Sequence, residues 1–185
     1  MNIVQVGANA GNDDAYNYII NNIHNINTVV LIEPLEKHNE ILKDQYSSVA
    51  NLYIENIAIV DNPELSTIRF FIAPEEGQVS ALGLDHLVKH NVHYTQIQSV
   101  EIPCSTLNKI FDKYNLIDID YLFIDAEGFD DKIITSIDFN KYNISKIEYE
   151  NLHIDNSKLE MFLSNLGYKI THGTGYNGWS NRASK

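Results

Sequence analysis

The chain has 185 residues, with 13 Lys plus Arg against 25 Asp plus Glu and a formal net charge of -12. A hydrophobic fraction of 44% and a charged fraction of 21% exclude global disorder, collagen-like repeats and low complexity. No cluster of Lys and Arg suits a nucleic-acid backbone or an anionic membrane, so neither is expected as a partner.

One domain over residues 1–185 is expected, burying roughly 70% of its unfolded surface. Cys104 is the single cysteine, which excludes an intramolecular disulfide and a cysteine-based structural zinc site. The opening Met1-Asn2-Ile3-Val4-Gln5-Val6 has no basic n-region and no cleavage site, and no apolar run of about 18 residues follows. The expected location is cytoplasmic.

Ile3 to Val6 is a short apolar run ended by Gly7, the first strand. Tyr16, Ile19, Ile20 and Ile23 then recur at helical spacing behind the helix-starting Asn12, Asp13 and Asp14. Thr28 to Ile32 is the continuous apolar run of a strand buried on both faces. Pro34 stops it, and Leu35 to Tyr46 reads as a second helix. Leu52 to Val60 and Ile68 to Ile72 are β-rich. Residues 73–99 show no clear period, and Glu75-Glu76-Gly77 marks a loop there. Val100 to Ile102 reads as a strand entering a helix near Ser105.

Tyr121 to Ile124 is another buried strand, followed by Asp125-Ala126-Glu127-Gly128 and a helix to about Ile137. Lys146 to Tyr149 is a strand. Ser157 to Leu166 is a helix with Leu159, Phe162, Leu163 and Leu166 facing inward and Gly167 as its cap. Tyr168 to Thr171 is a last strand. The tail 172–185 is rich in Gly, Asn and Ser and reads as a loop, with Arg182 to Lys185 solvated.

Strands alternating with helices predict an α/β fold, a mostly parallel central sheet with helices on both faces. Ligands bind such sheets beyond the carboxyl ends of the strands, at the topological switch point. The residues to inspect are therefore Gly7 to Gly11, Glu33-Pro34, Asn56 to Ala58, Asp125 to Gly128 and Glu150 to His153.

Gly7 and Gly11 frame a turn in which backbone can approach a ligand. Glu33 lies 26 residues past Gly7 at the end of the second strand, where an acid bonds ribose hydroxyls in dinucleotide folds. The loop is Gly-x-x-x-Gly, with Asn9 in place of the glycine that lets a pyrophosphate approach. Asp13 and Asp14 complement the helix macrodipole and would repel a pyrophosphate at that helix start. S-adenosylmethionine (SAM) has no phosphate and carries a sulfonium and an ammonium. An acidic, oxygen-lined pocket suits it better than NAD or ATP.

Four segments, in order, carry a family resemblance. Val4-Gln5-Val6-Gly7-Ala8-Asn9-Ala10-Gly11, Val30-Leu31-Ile32-Glu33-Pro34, Asn56-Ile57-Ala58-Ile59 and Leu122-Phe123-Ile124-Asp125-Ala126-Glu127-Gly128-Phe129-Asp130 closely resemble the FkbM-like SAM-dependent methyltransferases. The similarity runs from Ile3 to Tyr168. It implies a Rossmann-type methyltransferase fold with SAM as cofactor. By resemblance Gly7, Ala8, Asn9 and Gly11 wrap its methionine end, Glu33 holds the ribose diol, and Asn56 and Ala58 lie by the adenine. Ser80 sits near the site, and Asp125 beside the methionine part and the reacting methyl. Phe123 stands where the family usually has Lys, and Asp130 where it usually has Glu.

The implied reaction is O-methylation of a hydroxyl on a small-molecule or sugar acceptor. An acceptor hydroxyl needs a proton acceptor. The catalytic candidates are Asp125, Glu150 and His153, with Glu127 either beside them or capping the next helix. Asp125, Glu127, Glu150 and His153 are also hard metal ligands, but no spacing requires an ion, so no metal is expected. His86, His90 and His93 have no acidic partner in sequence and read as solvated. A SAM-binding module without catalysis and a nucleotide-dependent oxidoreductase remain the alternative classes.

Overall fold

β1 (Asn2–Val6) opens the chain, and its residues from Ile3 on are buried on both faces. Its structure is a computed structural model that describes residues 1–72, 97–175 and 178–185, and the backbone of 80–81. α1 (Asp14–Asn21) follows. The Asp13 carboxylate caps it by accepting the Tyr16 amide at 2.8 Å, satisfying a donor that has no partner within the helix. β2 (Thr28–Ile32) has the expected bounds.

The second helix is shorter than its pattern suggests. Glu36–His38 is a 3-10 turn, and α2 covers only Asn39–Gln45. The Glu33 side chain explains the delay, because it takes the Leu35 amide at 2.9 Å and holds that residue extended. The β-rich run after it divides into β3 (Leu52–Glu55) and β4 (Ala58–Ile59), which enter different sheets. β5 (Thr67–Ile72), β6 (Ser80–Ala81) and β7 (Gln98–Ser105) join β4 in a sheet ordered β4-β7-β5-β6. Glu75 to Gly77, His86, His90, His93 and the Ser80 side chain lie outside the described residues.

α3 (Leu107–Lys113), capped by Thr106, leads to the two-residue β8 (Asp118–Ile119) and to β9 (Tyr121–Ile124). α4 (Asp130–Thr135) follows, and β10 (Asn143–Ile144) pairs with β8. β11 (Lys146–Glu150), α5 (Asn156–Asn165), β12 (Lys169–Thr174) and β13 (Ser180–Ser184) complete the chain. Gly167 ends α5 in the left-handed region at φ 88°. Leu166 is 36% exposed rather than turned inward.

Among the described residues the central sheet has seven strands, in the order β3-β2-β1-β9-β11-β13-β12. The pairs among β3, β2, β1, β9 and β11 are all parallel. Numbered by appearance within this sheet, the order is 3-2-1-4-5-7-6. That is the Rossmann order with one antiparallel strand inserted near its edge. The inserted strand is β13, within the tail expected to be a loop. Arg182 lies opposite Glu148, and its Nη2 and Nε donate to Glu148 Oε2 at 2.8 and 2.9 Å. Arg182 is thus a partner of a buried acid rather than a solvated tail cation.

Alternation along the strands separates two cores. Val4, Val6, Leu122, Ile124, Ile147 and Tyr149 pack with residues of α3, α4 and α5. Ile3, Val29, Leu31, Tyr121 and Phe123 pack with residues of α1 and α2 on the other face. Helices therefore cover both faces. Fully burying one such side chain contributes about 1.5–3 kcal/mol. Among the described residues no helix is long and apolar enough to cross a membrane.

Candidate active site

The strand order reverses between β1 and β9, so the carboxyl ends of these two strands flank the switch point. The turn after β1 is pinned from below: the Gly7 and Ala8 amides donate to the Ile32 carbonyl at 2.9 and 3.2 Å. Gly11 closes the turn onto the Ala8 carbonyl at 2.9 Å.

The glycines answer to neighbouring protein atoms. A Cβ on Gly7 would stand 2.0 Å from the Asp125 carbonyl oxygen, and one on Gly11 2.5 Å from Gln45 Oε1. Gly7, at φ 77°, lets the ends of β1 and β9 close on each other. The packing of the protein's own atoms thus already requires a glycine at both positions.

Glu33 joins the first loop to the second strand end. It is only 5% exposed, and its Oε2 accepts the Asn9 amide and its Oε1 the Leu35 amide, each at 2.9 Å. Asn9 takes a left-handed conformation at φ 45°. Burial pushes the Glu33 carboxyl above its ordinary range, against the pull of the Leu35 and Asn9 amides and of Lys37. Asn56 Nδ2 donates to the Glu33 carbonyl at 3.0 Å and to Asn39 Oδ1 at 2.7 Å. Ala58 is buried in β4. Gly7, Ala8, Asn9, Glu33 and Asn56 thus form one linked group.

The second group follows β9 and β11. Asp125 is exposed, and its amide donates to the Val6 carbonyl at 3.1 Å. Asp125, Glu127 and Glu150 each offer a carboxylate oxygen, and these oxygens lie within 4.8 Å of one another. Three hard oxygens at that spacing are a set a divalent cation could use, though short of the six that Mg²⁺ requires. Glu127 is left-handed at φ 51°. The position capping α4 is Phe129, with no side-chain cap, so the helix cap expected of Glu127 is not formed.

Burial, then Asp125, then Glu127, pushes the Glu150 carboxyl up to about 8. Its Oε2 is buried without a hydrogen-bond partner among the described residues. His153 is exposed and left-handed at φ 64°, and it is not part of the carboxylate trio.

A cavity of about 90 Å³ runs from the β9 end toward α1, lined among others by Gln5, Asp13, Asp14, Asp125, Glu148 and Ser180. Four of those six are acids. The cavity touches Asp125 but not Gly7, Glu33, Asn56 or Ala58. Asp13, besides capping α1, takes Gln5 Nε2 at 2.5 Å, and burial pushes its carboxyl up. Sequence reasoning missed Gln5 and Ser180. Gln5 sits inside an apolar run, the one signal available. Ser180 enters only through the pairing of β13 with β11, opposite Glu150.

The sheet order and its switch point define a Rossmann-type α/β fold. The chain belongs to the methyltransferase FkbM domain family, whose description matches residues 5–170. A crystal structure of Methyltransferase FkbM from Methylobacillus flagellatus KT shares its fold at a TM-score of 0.57 and 16% identity. All of this chain is covered, and it spans 43% of that one. A chain from a fibrillarin/Nop5p complex aligns at a TM-score of 0.47 and 12% identity, over 100% of this chain and 72% of its own. No curated protein matches the chain in sequence.

Proposed function

We propose that the protein is a SAM-dependent methyltransferase that methylates a hydroxyl of a small-molecule or sugar acceptor. The observation that carries this reading is the trio Asp125, Glu127 and Glu150, gathered at the carboxyl edge beside the switch point. A concentration of carboxylates there favours a sulfonium and an ammonium and opposes a pyrophosphate.

Gly7, Ala8, Asn9 and Gly11 take the methionine end, Glu33 the ribose, Asn56 and Ala58 the adenine, with Ser80 nearby. SAM supplies a methyl carbon already activated by sulfonium. The protein's task is to align acceptor oxygen, methyl and sulfur, and to accept the hydroxyl proton. Glu150 is the base, because a carboxyl poised near 8 suits proton transfer at neutral pH. Asp125 orients the acceptor, and His153 is a second candidate base at the exposed end of the same turn.

Calorimetry with SAM and with NAD tests the cofactor, and release of S-adenosylhomocysteine across hydroxylated acceptors tests the reaction. SAM should bind and NAD should not. Binding without turnover on any acceptor would make the protein a SAM-binding module, and binding of NAD alone would make it an oxidoreductase.

Two substitutions probe the assignments. Glu33→Ala should weaken SAM binding by about 1.5–3 kcal/mol, since the ribose loses a charge-assisted partner and the Asn9 amide its anchor. An unchanged dissociation constant by calorimetry would remove Glu33 from the site. Asp125→Asn should cost roughly tenfold in SAM affinity and more, about 10²-fold, in turnover. Normal affinity together with normal turnover would exclude Asp125.

A further inference from the structure

Asp130 has no role in the reading above, yet it is 0% exposed, the only acid among the described residues with no accessible surface. Its Oδ2 accepts the Ala126 amide at 3.2 Å, and its Oδ1 accepts the Glu150 amide at 3.1 Å. The β9–β11 ladder ends at the pair Ile124 and Tyr149. Just beyond that pair, β9 gives way to the turn that carries Asp125 and Glu127, while β11 runs on one residue to Glu150, where it is paired only with β13. One side chain thus ties the backbone of the turn after β9 to the end of β11, where the ladder between these two strands no longer does.

We propose that Asp130 is the positioning residue of the strand-end site, its two carboxyl oxygens holding the turn after β9 against the end of β11 so that the trio stays gathered for the cofactor. The proposal rests on the reading of this site as a SAM site. The bare helix start of α4 does not explain the arrangement, because one oxygen reaches back to Ala126 and the other crosses to another strand. Burying a carboxyl beside Asp125 and Glu150 is unfavourable unless its oxygens are satisfied, and these two amides satisfy them. Asp130→Asn keeps the shape but leaves only one acceptor oxygen, with an amide donor facing the other N–H. Asp130→Glu keeps both acceptor oxygens.

The test compares the wild type, Asp130→Asn, Asp130→Glu and Ile133→Val. Ile133 is a fully buried neighbour on α4 whose truncation loosens packing without touching these hydrogen bonds. Calorimetry with SAM is run well below each melting temperature, and hydrogen exchange of the Ala126 and Glu150 amides is followed without ligand.

Asp130→Asn should raise the SAM dissociation constant at least about tenfold and speed exchange of both amides by a similar factor. Asp130→Glu should recover affinity to within about threefold, and Ile133→Val should leave affinity unchanged while melting earlier. A merely structural Asp130 predicts lower melting temperatures with wild-type affinity in the folded protein, and that outcome overturns the proposal. So does unchanged exchange at the two amides. If Asp130→Asn does not fold, Asp130→Glu decides: SAM affinity that falls in step with faster exchange of the two amides supports the proposal, and wild-type affinity despite faster exchange overturns it, as does loss of binding in Ile133→Val. If the wild type itself binds no SAM, the cofactor reading fails, and the exchange of the two amides still decides whether Asp130 fastens the turn after β9 to the end of β11.

Discussion

Glu150→Gln is expected to lower turnover by about 10²–10⁴-fold, the usual contribution of a positioned proton acceptor, while SAM affinity changes little. Glutamine has the same shape and cannot take the acceptor proton. The pH profile gives the sharper reading. The base must be ionised, so wild-type turnover should fall as pH drops below about 8, and the residual activity of the variant should lose that acid limb.

Stability should respond in the opposite sense. The folded carboxyl titrates near 8 and the unfolded one near its ordinary 4.5, so the native state holds the extra proton between them. The stabilisation is complete below 4.5 and is lost as pH rises through 8. Glu150 is partly exposed, which reduces the effect to about 1–2 kcal/mol. From pH 5 to pH 9 the wild type should lose melting temperature relative to Glu150→Gln by roughly 2–8 °C. Parallel melting curves for the two proteins across that range would show that Glu150 is not held in this environment, and equal turnover would show that it is not the base.

Gly7→Ala should be the most disruptive small substitution at the site. The added Cβ would lie 2.0 Å from the Asp125 carbonyl oxygen, which is backbone and has no rotamer to retreat into. The residue also sits at φ 77°, where alanine is strained. Together these should cost about 3 kcal/mol or more, a fall in melting temperature of roughly 6–12 °C, and displace the Asp125 turn. SAM binding should fail even in the folded fraction. Gly11→Ala provides the graded comparison. Its nearest obstacle is the end of the Gln45 side chain, which can move, so its loss should be smaller. If Gly7→Ala melts like the wild type and binds SAM normally, the close approach of the two strand ends is not needed.

The strands that build the site could be read from the chain because their signals are local. Thr28 to Ile32 and Tyr121 to Ile124 are continuous apolar runs, as strands buried on both faces require, and the structure places both within the central sheet. The turn residues at their ends follow directly in sequence, so Gly7, Glu33 and Asp125 could be named as site candidates without coordinates. Charge was equally legible: an acid stands at the exit of β2 (Glu33) and of β9 (Asp125), and the excess of acids over bases is read directly from the composition.

Pairing across sequence distance was not legible. β13 reads Ser180-Asn181-Arg182-Ala183-Ser184, with no apolar run, and it becomes a strand because β11 and β12 both offer it an edge and Glu148 offers Arg182 a partner 34 residues upstream. Leu52 to Val60 looks continuous, yet Asn56 turns aside to the Glu33 carbonyl and the run is shared between two sheets. Asp130 looks like an ordinary acid at a helix start, and only the folded chain brings the Glu150 amide, 20 residues on, to its carboxylate. The same holds for the trio's spacing and for Glu150's raised proton affinity, which burial and the neighbouring charges create together. Local periodicity and turn chemistry decide where strands end; which strand ends meet, and how far their carboxylates then stand apart, depends on contacts that exist only once the sheet has formed.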